Sequence, residues 1–246
     1  MKKIFSYGGG RNSVAATVLI AQGRLPVPDY VVIADTGREA QSTWDYLEDI
    51  ARPLLAEVGV EVHIAPHSLS TVDLYAHNGA LLIPAYTTLN GSGKLPTFCS
   101  TEWKRRVMRR WLRGQGVDEC EMWICYTISE VERIKPADVQ WVTHSYPLVD
   151  LMLSQSDCES IILEAGLPLP HKSACWMCPH RNNEEWRVLR DEYPADWRRA
   201  VDLENEIQQG DPHAWLHGDC VPLEVADLSV DNVKQHTQCG LGMCWI

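Results

Sequence analysis

The chain begins with Met1-Lys-Lys-Ile-Phe-Ser-Tyr-Gly-Gly-Gly-Arg-Asn-Ser13, and this stretch decides the fold. Its apolar part, residues 3–7, predicts a short buried strand, and a helix is predicted at residues 13–22 after the glycines. Glycines between a strand and a helix let backbone N–H groups approach an anion, and the helix N-terminus adds a partial positive charge. Ser13 at the predicted helix start can offer its hydroxyl to the same anion. The stretch therefore predicts an anion-binding turn, with a glycine-rich turn capped by serine as the alternative.

Strand and helix continue to alternate through the first third of the chain. Residues 30–34 are a β-branched run typical of a central parallel strand, residues 40–58 have helical apolar spacing, and residues 60–65 predict a third strand. This order predicts an α/β fold, a Rossmann-like parallel sheet of five strands with right-handed crossovers and helices on both faces. The other predicted elements are strands at 121–126 and 140–146 and helices at 101–113, 155–165, 183–190 and 195–208.

Two regions are predicted from the change in composition along the chain. Residues 1–166 form the α/β domain, and residues 167–246 form a mainly helical extension rich in Pro, Trp and Cys. Within the first region the pattern breaks at residues 67–97, where Asn90-Gly-Ser-Gly-Lys94 is typical of a mobile loop tip. We expect the extension to pack on the α/β domain.

The composition itself is that of a folded protein, with 45% hydrophobic and 22% charged residues in 246. It excludes a collagen-like repeat and a coiled coil. The net charge of −11 argues against non-specific coating of nucleic acid. No apolar run approaches the roughly 18 residues of a membrane span, and Gly8 to Arg11 interrupt the N-terminus before a signal sequence can form. We therefore expect a cytoplasmic protein without membrane contact.

Nine cysteines in such a protein suggest metal binding or redox chemistry wherever they cluster. Cys175-Trp-Met-Cys178-Pro179 is the clearest cluster, because a C-x-x-C turn brings two thiolates to one metal. A following proline is familiar in iron–sulfur ligation, a zinc site uses the same spacing, and a redox dithiol is the third alternative. Other cysteines are predicted to be small buried hydrophobic residues, namely Cys120, Cys125 and Cys158. Four histidines are predicted to be surface or capping residues rather than ligands: His171, His180, His213 and His217.

The glycine loop resembles a known motif. Gly8-Gly-Gly-Arg-Asn-Ser13 is similar to the SGGxDS pyrophosphate loop of the PP-loop superfamily, which has the adenine nucleotide α-hydrolase-like fold. Ile33-Ala-Asp-Thr-Gly37 resembles the second-strand DTG segment of that superfamily, and Ile128-Ser-Glu-Val-Glu-Arg133 resembles its DE..R segment. Within it, the chain is most similar to the phosphoadenosine phosphosulfate reductase-like proteins, in a branch met in bacteriophages and mobile elements.

This resemblance implies a site for ATP or an adenylylated sulfate, with Mg²⁺ as an accompanying ion. Gly8 stands where the motif has its first serine, and Asn12 stands where the motif has an aspartate that helps to hold magnesium. Nucleotide binding is therefore better supported than ATP cleavage. Lys104 and Arg133 are the implied catalytic cations. The implied nucleotide-binding residues are Ser6, Gly8, Gly9, Gly10, Arg11, Asn12, Ser13, Asp35, Thr36, Gly37 and Glu130.

The resemblance also implies a [4Fe–4S] cluster, for which zinc is the alternative. Cys99 precedes a basic helix where adenylylsulfate reductases have a cysteine pair, so Cys99, Cys175 and Cys178 are three candidate ligands and Cys244 is the fourth. Gln238-Cys-Gly-Leu241 resembles the tail that carries the nucleophilic cysteine of sulfonucleotide reductases, which makes Cys239 a catalytic candidate. The histidine of that tail is replaced by Gly242.

Three functions follow as hypotheses. The first is adenylation-dependent sulfur transfer, and the second is reduction of a sulfonucleotide to sulfite by cysteine attack. The third is a zinc-stapled nucleotide-binding module without turnover. The acceptor is a tRNA, a DNA or a small molecule, and a thiol or electron-donor protein is the expected partner. The basic stretch Lys104-Arg-Arg-Val-Met-Arg-Arg-Trp-Leu-Arg113 is interpreted either as a helix with a solvated basic edge or as a contact for substrate phosphate or sulfonate.

Overall fold

The computed structural model describes residues 1–89, 91 and 93–230, and a five-stranded parallel sheet lies at its centre. The strands in the described residues are β1 Lys2–Ser6, β2 Tyr30–Ala34, β3 Val62–Ala65, β4 Tyr86–Thr87, β5 Gly93–Lys94, β6 Cys120–Trp123, β7 Val142–Ser145 and β8 Ala214–Trp215. The α-helices are α1 Arg11–Ala21, α2 Gln41–Tyr46, α3 Arg52–Glu57, α4 Arg106–Gly114, α5 Pro147–Asp150, α6 Gln155–Glu164, α7 Asn183–Glu192 and α8 Pro194–Gly210. None of the described helices is long and apolar enough to cross a membrane.

The strand order in the central sheet is β3-β2-β1-β6-β7, and every pairing is parallel. The prediction of a five-stranded Rossmann-like sheet is confirmed. The chain runs outward from β1 to β3 and then returns to the other side of β1 as β6. This reversal creates a switch point between β1 and β6, and open α/β sheets bind ligands at such a point, outside the carboxyl ends of the strands.

Helices cover both faces of this sheet because neighbouring strand residues point to opposite sides. Phe5, Val31 and Ile33 share a buried core with α1, α3 and α6. Ile4 and Val32 share the opposite core with α4, whose Val107, Met108 and Leu112 are buried as the apolar side of the basic helix predicted. The two cores fix the sheet between its helices and leave its carboxyl edge for a site.

Two of the predicted helices contain a π-helical segment. Residues 40–58 form α2 and α3, with the π-helical turn Leu47–Ala51 between them, and the basic helix begins with the π-helical segment Ser100–Arg105. Pro53, which has no N–H to donate, is the second residue of α3, the helix that follows the first π-helical turn. A π-turn is a local departure from the 3.6-residue period, so the apolar spacing alone did not indicate it.

A further core joins the predicted extension to residues 72–103. Leu74, Leu82 and Ile83 pack in it with Trp176 and Trp186. A three-stranded antiparallel sheet of order β5-β4-β8 also links these regions. Lys94, predicted to belong to a loop tip, lies in β5, whereas Asn90 and Ser92 fall outside the described residues. The cysteine-bearing region therefore shares its core with a segment from the first half of the chain.

We expect that shared core to be sensitive to cavity formation. Leu82 is 1% exposed, so Leu82→Ala should lower the free energy of unfolding by about 2–5 kcal/mol. Leu163 on α6 is 56% exposed and provides the matched control, since Leu163→Ala should change it by no more than about 0.5 kcal/mol. Urea unfolding measures both. Equal losses in the two variants would contradict the burial of Leu82.

Candidate functional site

The glycine loop connects β1 to α1 at the carboxyl edge of the sheet. Helix α1 begins at Arg11 with Gly10 as its N-cap, so the prediction that the helix starts at Ser13 is wrong. Ser13 lies inside the first turn and is buried. Its hydroxyl accepts a hydrogen bond from the N–H of Gly8 at 3.3 Å and donates one to the carbonyl of Gly10 at 3.1 Å. The hydroxyl therefore shapes the loop, while the backbone N–H groups of the first turn remain the anion-binding groups.

Gly9 is the residue that allows this loop to pack. Its φ is +73°, and a Cβ built on it would lie 2.6 Å from Cγ2 of Thr43 and 3.3 Å from Oγ of Ser173. The Ser173 hydroxyl also donates a hydrogen bond to the carbonyl of Gly8. The loop is thus held between α2 and the segment that precedes the C-x-x-C turn.

The N-terminus of α1 opens on a cleft of about 460 Å³. Gly10 supplies no capping side chain, and no side chain in the described part of the chain caps this helix. By contrast, capping boxes close the first turns that begin after Thr127, Ser154 and Asn182. The uncapped N–H groups of α1 therefore face a cavity large enough for a ligand, and the helix dipole makes that end of the cavity attractive to an anion.

The opposite wall of this cleft comes from the segment that follows β6. The Nδ2 of Asn12 donates a hydrogen bond to Oε2 of Glu130 at 2.8 Å, and Arg133 forms an ion pair with the same carboxylate. The Arg133 guanidinium also lies over the Tyr126 ring, 4.3 Å from its centroid. The two separately predicted segments therefore meet at the β1/β6 switch point. Glu130 brings a carboxylate to the side of Asn12, where the loop itself lacks one.

The Asp-Thr-Gly segment after β2 lies elsewhere on the carboxyl edge. Asp35 Oδ1 accepts a hydrogen bond from the N–H of Gly37 at 2.6 Å, which forms a tight turn. Thr36 is buried, and its hydroxyl lies 3.4 Å from Sγ of Cys175. Ser6 and Gly8 line a small cavity of about 30 Å³ together with Lys104. Eight of the eleven predicted nucleotide residues are therefore divided among three neighbouring cavities, whereas Gly9, Asp35 and Gly37 line none of the three.

The third of these cavities, which we call the cysteine chamber, has a volume of about 110 Å³. Its walls include three of the four predicted metal ligands, Cys99, Cys175 and Cys178, together with Thr36, Lys104 and His180. Within residues 1–89, 91 and 93–230, no group of three or more His, Cys, Asp or Glu side chains has an arrangement that could hold a metal ion. The predicted Cys239 and Cys244 lie outside the described residues.

Main-chain pairing fixes the chamber beside the sheet. Glu39 and Cys175 form an antiparallel bridge, and the N–H of Trp176 donates to the carbonyl of Arg38 at 2.9 Å. From behind, the buried Arg181 donates to the Cys175 carbonyl at 3.2 Å. The C-x-x-C turn is therefore attached to the segment that follows β2.

A buried ion pair lies between the chamber and the small cavity. Nζ of Lys104 is 2.9 Å from Oε1 of Glu39, whose side chain is 2% exposed. Burial lowers the pKa of Lys104, but Glu39 and the Cys175 thiol raise it by more, so the pKa lies above its usual value. The sequence pattern did not indicate Glu39. Its only signal is an acidic residue placed two positions after the Asp-Thr-Gly segment.

Burial also raises the pKa values of two thiols in the chamber. It raises the pKa of Cys99 to about 12, an effect that the neighbouring Cys178 reinforces and Lys104 opposes. Burial, followed by the charge of Glu39, raises the pKa of Cys175 as well. Both thiols are therefore protonated at neutral pH unless a cation compensates the thiolates, and metal binding here must release protons.

The other predicted cysteines and histidines are placed as follows. Cys120, Cys125 and Cys158 are buried as predicted, although Cys125 also lines the cleft. His171 and His213 are exposed. His217 is not at the surface, because it is fully buried, with its Nε2 2.9 Å from Oδ1 of Asn183. Its Nδ1 accepts a hydrogen bond from the N–H of Asp219 at 3.3 Å, which agrees with the capping alternative.

His180 is partly exposed and is one of the residues that line the chamber. Burial, together with Lys94 and Lys172, lowers the pKa of His180 to about 4, so the ring is neutral at physiological pH.

The basic helix is balanced by its neighbours. Arg105 and Arg109 both pair with Asp138, and Arg113 lies 3.2 Å from a carboxylate oxygen of Asp118. Arg106 pairs with Glu102 at 2.6 Å. These carboxylates offset the positive charge that the sequence concentrates here, so the charge of this helix gives no separate support to a tRNA or DNA partner.

No protein-family model matches the chain, and no match is found among curated proteins. The resemblance to the phosphoadenosine phosphosulfate reductase-like proteins therefore stays a prediction.

The packing of Gly9 leads to a direct test. Gly9→Ala should lower the free energy of unfolding by about 1–3 kcal/mol, because the methyl group meets Thr43 and the backbone is left-handed. Adding Thr43→Ser removes the contacting Cγ2, so the double variant should recover the steric part of this loss in a double-mutant cycle. Gly114→Ala, whose Cβ meets nothing within 4 Å, is the control and should not be destabilising. Additive effects of the Gly9 and Thr43 changes would contradict the close contact.

Proposed function

We propose that this protein is an adenine-nucleotide-dependent sulfur-transfer enzyme that binds ATP or an adenylylated sulfur compound next to a metal–sulfur centre. One observation carries the proposal. The cleft at the N-terminus of α1 and the cysteine chamber have two wall residues in common, Lys172 and Ser173. A phosphate-binding helix end and a set of thiols thus lie on two sides of one short segment.

The proposed phosphate site uses the first-turn N–H groups of α1 and the side chain of Arg133. Uncapped helix N–H groups bind phosphate oxygens well, and a guanidinium can bind two of these oxygens at once. The carboxylate of Glu130 and the amide oxygen of Asn12 are the hard oxygen ligands that Mg²⁺ prefers. These groups support binding of a magnesium nucleotide in the cleft.

The proposed sulfur centre uses the thiols of the chamber. Cys99, Cys175 and Cys178 would hold a [4Fe–4S] cluster, with Cys244 as the fourth ligand, and zinc is the alternative metal. Their common position in one cavity and the nearby ammonium of Lys104, which offsets the charge of thiolates, support this assignment, and the three thiols would have to rearrange to hold one metal centre. A cluster in this position would supply iron that binds incoming sulfur.

The reaction that we propose has two steps. A substrate oxygen attacks the α-phosphorus of ATP, which forms an adenylylated substrate and releases pyrophosphate. In the second step hydrosulfide attacks the adenylylated carbon, so that a carbon–sulfur bond forms while the carbon–oxygen bond breaks and AMP leaves, and the sulfur loses its proton to solvent. A persulfide donor would serve the same step only with a pair of thiols that cleaves the sulfur–sulfur bond and is itself oxidised to a disulfide. The N-terminus of α1 and Arg133 would stabilise the charge on the phosphates during the first step.

A nucleotide-binding module without turnover is the second candidate, and the Asn12 contact favours it. Glu130 already pairs with Arg133 and accepts a hydrogen bond from Asn12, so its carboxylate is engaged. Release of pyrophosphate from ATP by the purified protein would favour the enzyme, and binding without release would favour the module. Reduction of a sulfonucleotide rests on the tail resemblance at Cys239 alone.

The proposed role of the α1 N-terminus in phosphate binding can be tested by adding a capping side chain. Gly10 has the extended backbone of an N-cap, and a Cβ there makes only an ordinary 3.8 Å contact with Ser173. Gly10→Ser should therefore fold normally, with a free energy of unfolding equal to or a few tenths of a kcal/mol above that of the wild type. Its hydroxyl would occupy the N–H groups that phosphate needs, so ATP affinity in calorimetry should fall about tenfold or more.

The matched control is Gly210→Ser at the C-terminal end of α8, where a Cβ has open space around it. This variant should bind ATP like the wild type. Full ATP affinity in a folded Gly10→Ser protein would remove the N-terminus of α1 from the site.

The proposed metal centre can be tested by substituting its predicted cysteine ligands and measuring the bound metal. Protein purified without oxygen should contain iron and sulfide, and Cys99→Ser, Cys175→Ser and Cys178→Ser should each lose most of the metal. Cys244→Ser should also lose metal, whereas Cys239→Ser should keep it and lose turnover. Cys220→Ser is the control, because Cys220 is partly exposed and does not line the chamber.

Tight zinc without iron in the wild type would favour the zinc-stapled module. Metal retained in all three chamber variants would reject the metal centre.

A further inference from the structure

Lys172 lies between the cleft at the N-terminus of α1 and the cysteine chamber, and it lines both cavities. Its Nζ donates a hydrogen bond to Oε2 of Glu185, a residue of the cleft wall, at 3.0 Å. The same Nζ donates to the main-chain carbonyl of His180, a residue of the chamber wall, at 3.1 Å. The side chain of Lys172 is 44% exposed. These contacts hold its ammonium group at the boundary, where a ligand can reach it.

The ammonium group of Lys172 can bind one further acceptor. An ammonium has three N–H donors, and within the described residues Nζ of Lys172 donates to two acceptors. The carboxylate partner is itself engaged, because Oε2 of Glu185 also accepts a hydrogen bond from the N–H of Asn182 at 3.0 Å in the capping box of α7. The cap fixes Glu185, and Glu185 fixes Lys172. Lys172 therefore offers an N–H donor from a held position.

The charge of Lys172 offsets an acidic part of the cleft wall. Glu184 and Glu185 both line the cleft on the side of α7. In the described part of the chain, the other cations that line the cleft are Arg11 and Arg133, and they pair with carboxylates on α6 and after β6. Without Lys172, a phosphate near α7 would meet mainly negative charge. Lys172 is therefore the cation that suits this boundary to an anion.

The order of the proposed reaction determines which phosphate lies at the boundary. Pyrophosphate leaves in the first step, whereas the α-phosphate stays joined through oxygen to the carbon that receives sulfur. Sulfur held in the chamber can reach that carbon only if the α-phosphate lies on the chamber side of the cleft. The N-terminus of α1 then remains for the pyrophosphate part of the nucleotide.

We propose that Lys172 binds the α-phosphate of the nucleotide and stabilises the negative charge of AMP as sulfur displaces it. AMP leaves with the electron pair of the carbon–oxygen bond, so the charge grows on a phosphate oxygen. An ammonium group that is held in place before the reaction lowers the energy of that charge. Lys172 is thus a catalytic residue of the second step, and this role rests on the proposed function.

The contact can be measured by calorimetry in buffer without Mg²⁺, because AMP is itself the leaving group. Lys172→Met removes the charge and retains an unbranched side chain. It should weaken AMP binding about tenfold, since a charge-assisted hydrogen bond to phosphate is lost. Its affinity for adenosine should equal that of the wild type, because adenosine has no phosphate. Lys172→Arg, which keeps a cation, should recover part of the AMP affinity.

Two further variants make the comparison specific. Gly10→Ser should weaken ATP binding but leave AMP affinity near that of the wild type, because AMP lacks the phosphates assigned to the N-terminus of α1. Lys2→Met is the matched control, since Lys2 is also an exposed lysine in an ion pair, 2.8 Å from Oδ1 of Asp29, but lines neither cavity. It should bind AMP and ATP like the wild type. Both lysine variants should fold normally, because exposed ion pairs contribute little to stability.

The outcomes distinguish this inference from the proposed function. A wild-type protein that binds none of adenosine, AMP and ATP rejects both. If the wild type binds AMP and Lys172→Met binds it equally well, the inference is overturned while the nucleotide site stands. Equal losses of adenosine and AMP affinity in Lys172→Met would also overturn it, because the substitution would then act through the shape of the cleft. A loss of AMP affinity in Gly10→Ser as large as its loss of ATP affinity would place the α-phosphate at α1 and overturn the inference as well.

Discussion

The main-chain join between residues 38–40 and 174–176 is the contact on which the site depends. It consists of the Glu39–Cys175 bridge, the bond from Trp176 to Arg38, and a bond from Ala40 to the Ala174 carbonyl at 3.3 Å. These bonds bring the thiols to the carboxyl edge of the sheet. Backbone pairing does not depend on side-chain identity, so the join fixes the position of the turn while leaving its side chains for chemistry.

One ion pair separates two of the cavities. Lys104 lies between the cysteine chamber and the small cavity beside Ser6, and its partner Glu39 is almost completely buried. Removal of one member of such a buried pair is strongly destabilising, since the other charge then has no partner. Arg133 and Glu130 form a second, partly exposed pair that lines the cleft. The site therefore combines paired opposite charges with three distinct cavities.

The sequence was sufficient to predict the central sheet because its strands and helices carry their own periodicity. The strand at residues 30–34 is found with the predicted bounds, and the glycine loop and residues 128–133 meet at the switch point. The core that residues 72–103 share with the extension was not predictable in the same way. Strands β4 and β8 have two residues each and pair across more than half of the chain, so no local pattern marks them. Glu39 and His217 are buried only because distant partners, Lys104 and Asn183, accompany them.

The shared core has a consequence for the order in which the chain acquires its structure. Residues 72–103 leave the ribosome before the helices α7 and α8 that cover their apolar side chains have been synthesised. Until then Leu74, Leu82 and Ile83 have no cover from that half of the molecule, and closing so long a loop makes the late step slow. The nascent chain thus exposes an apolar segment until α7 and α8 have been synthesised, and the thiol-bearing chamber cannot form before residues 172–180 have been added.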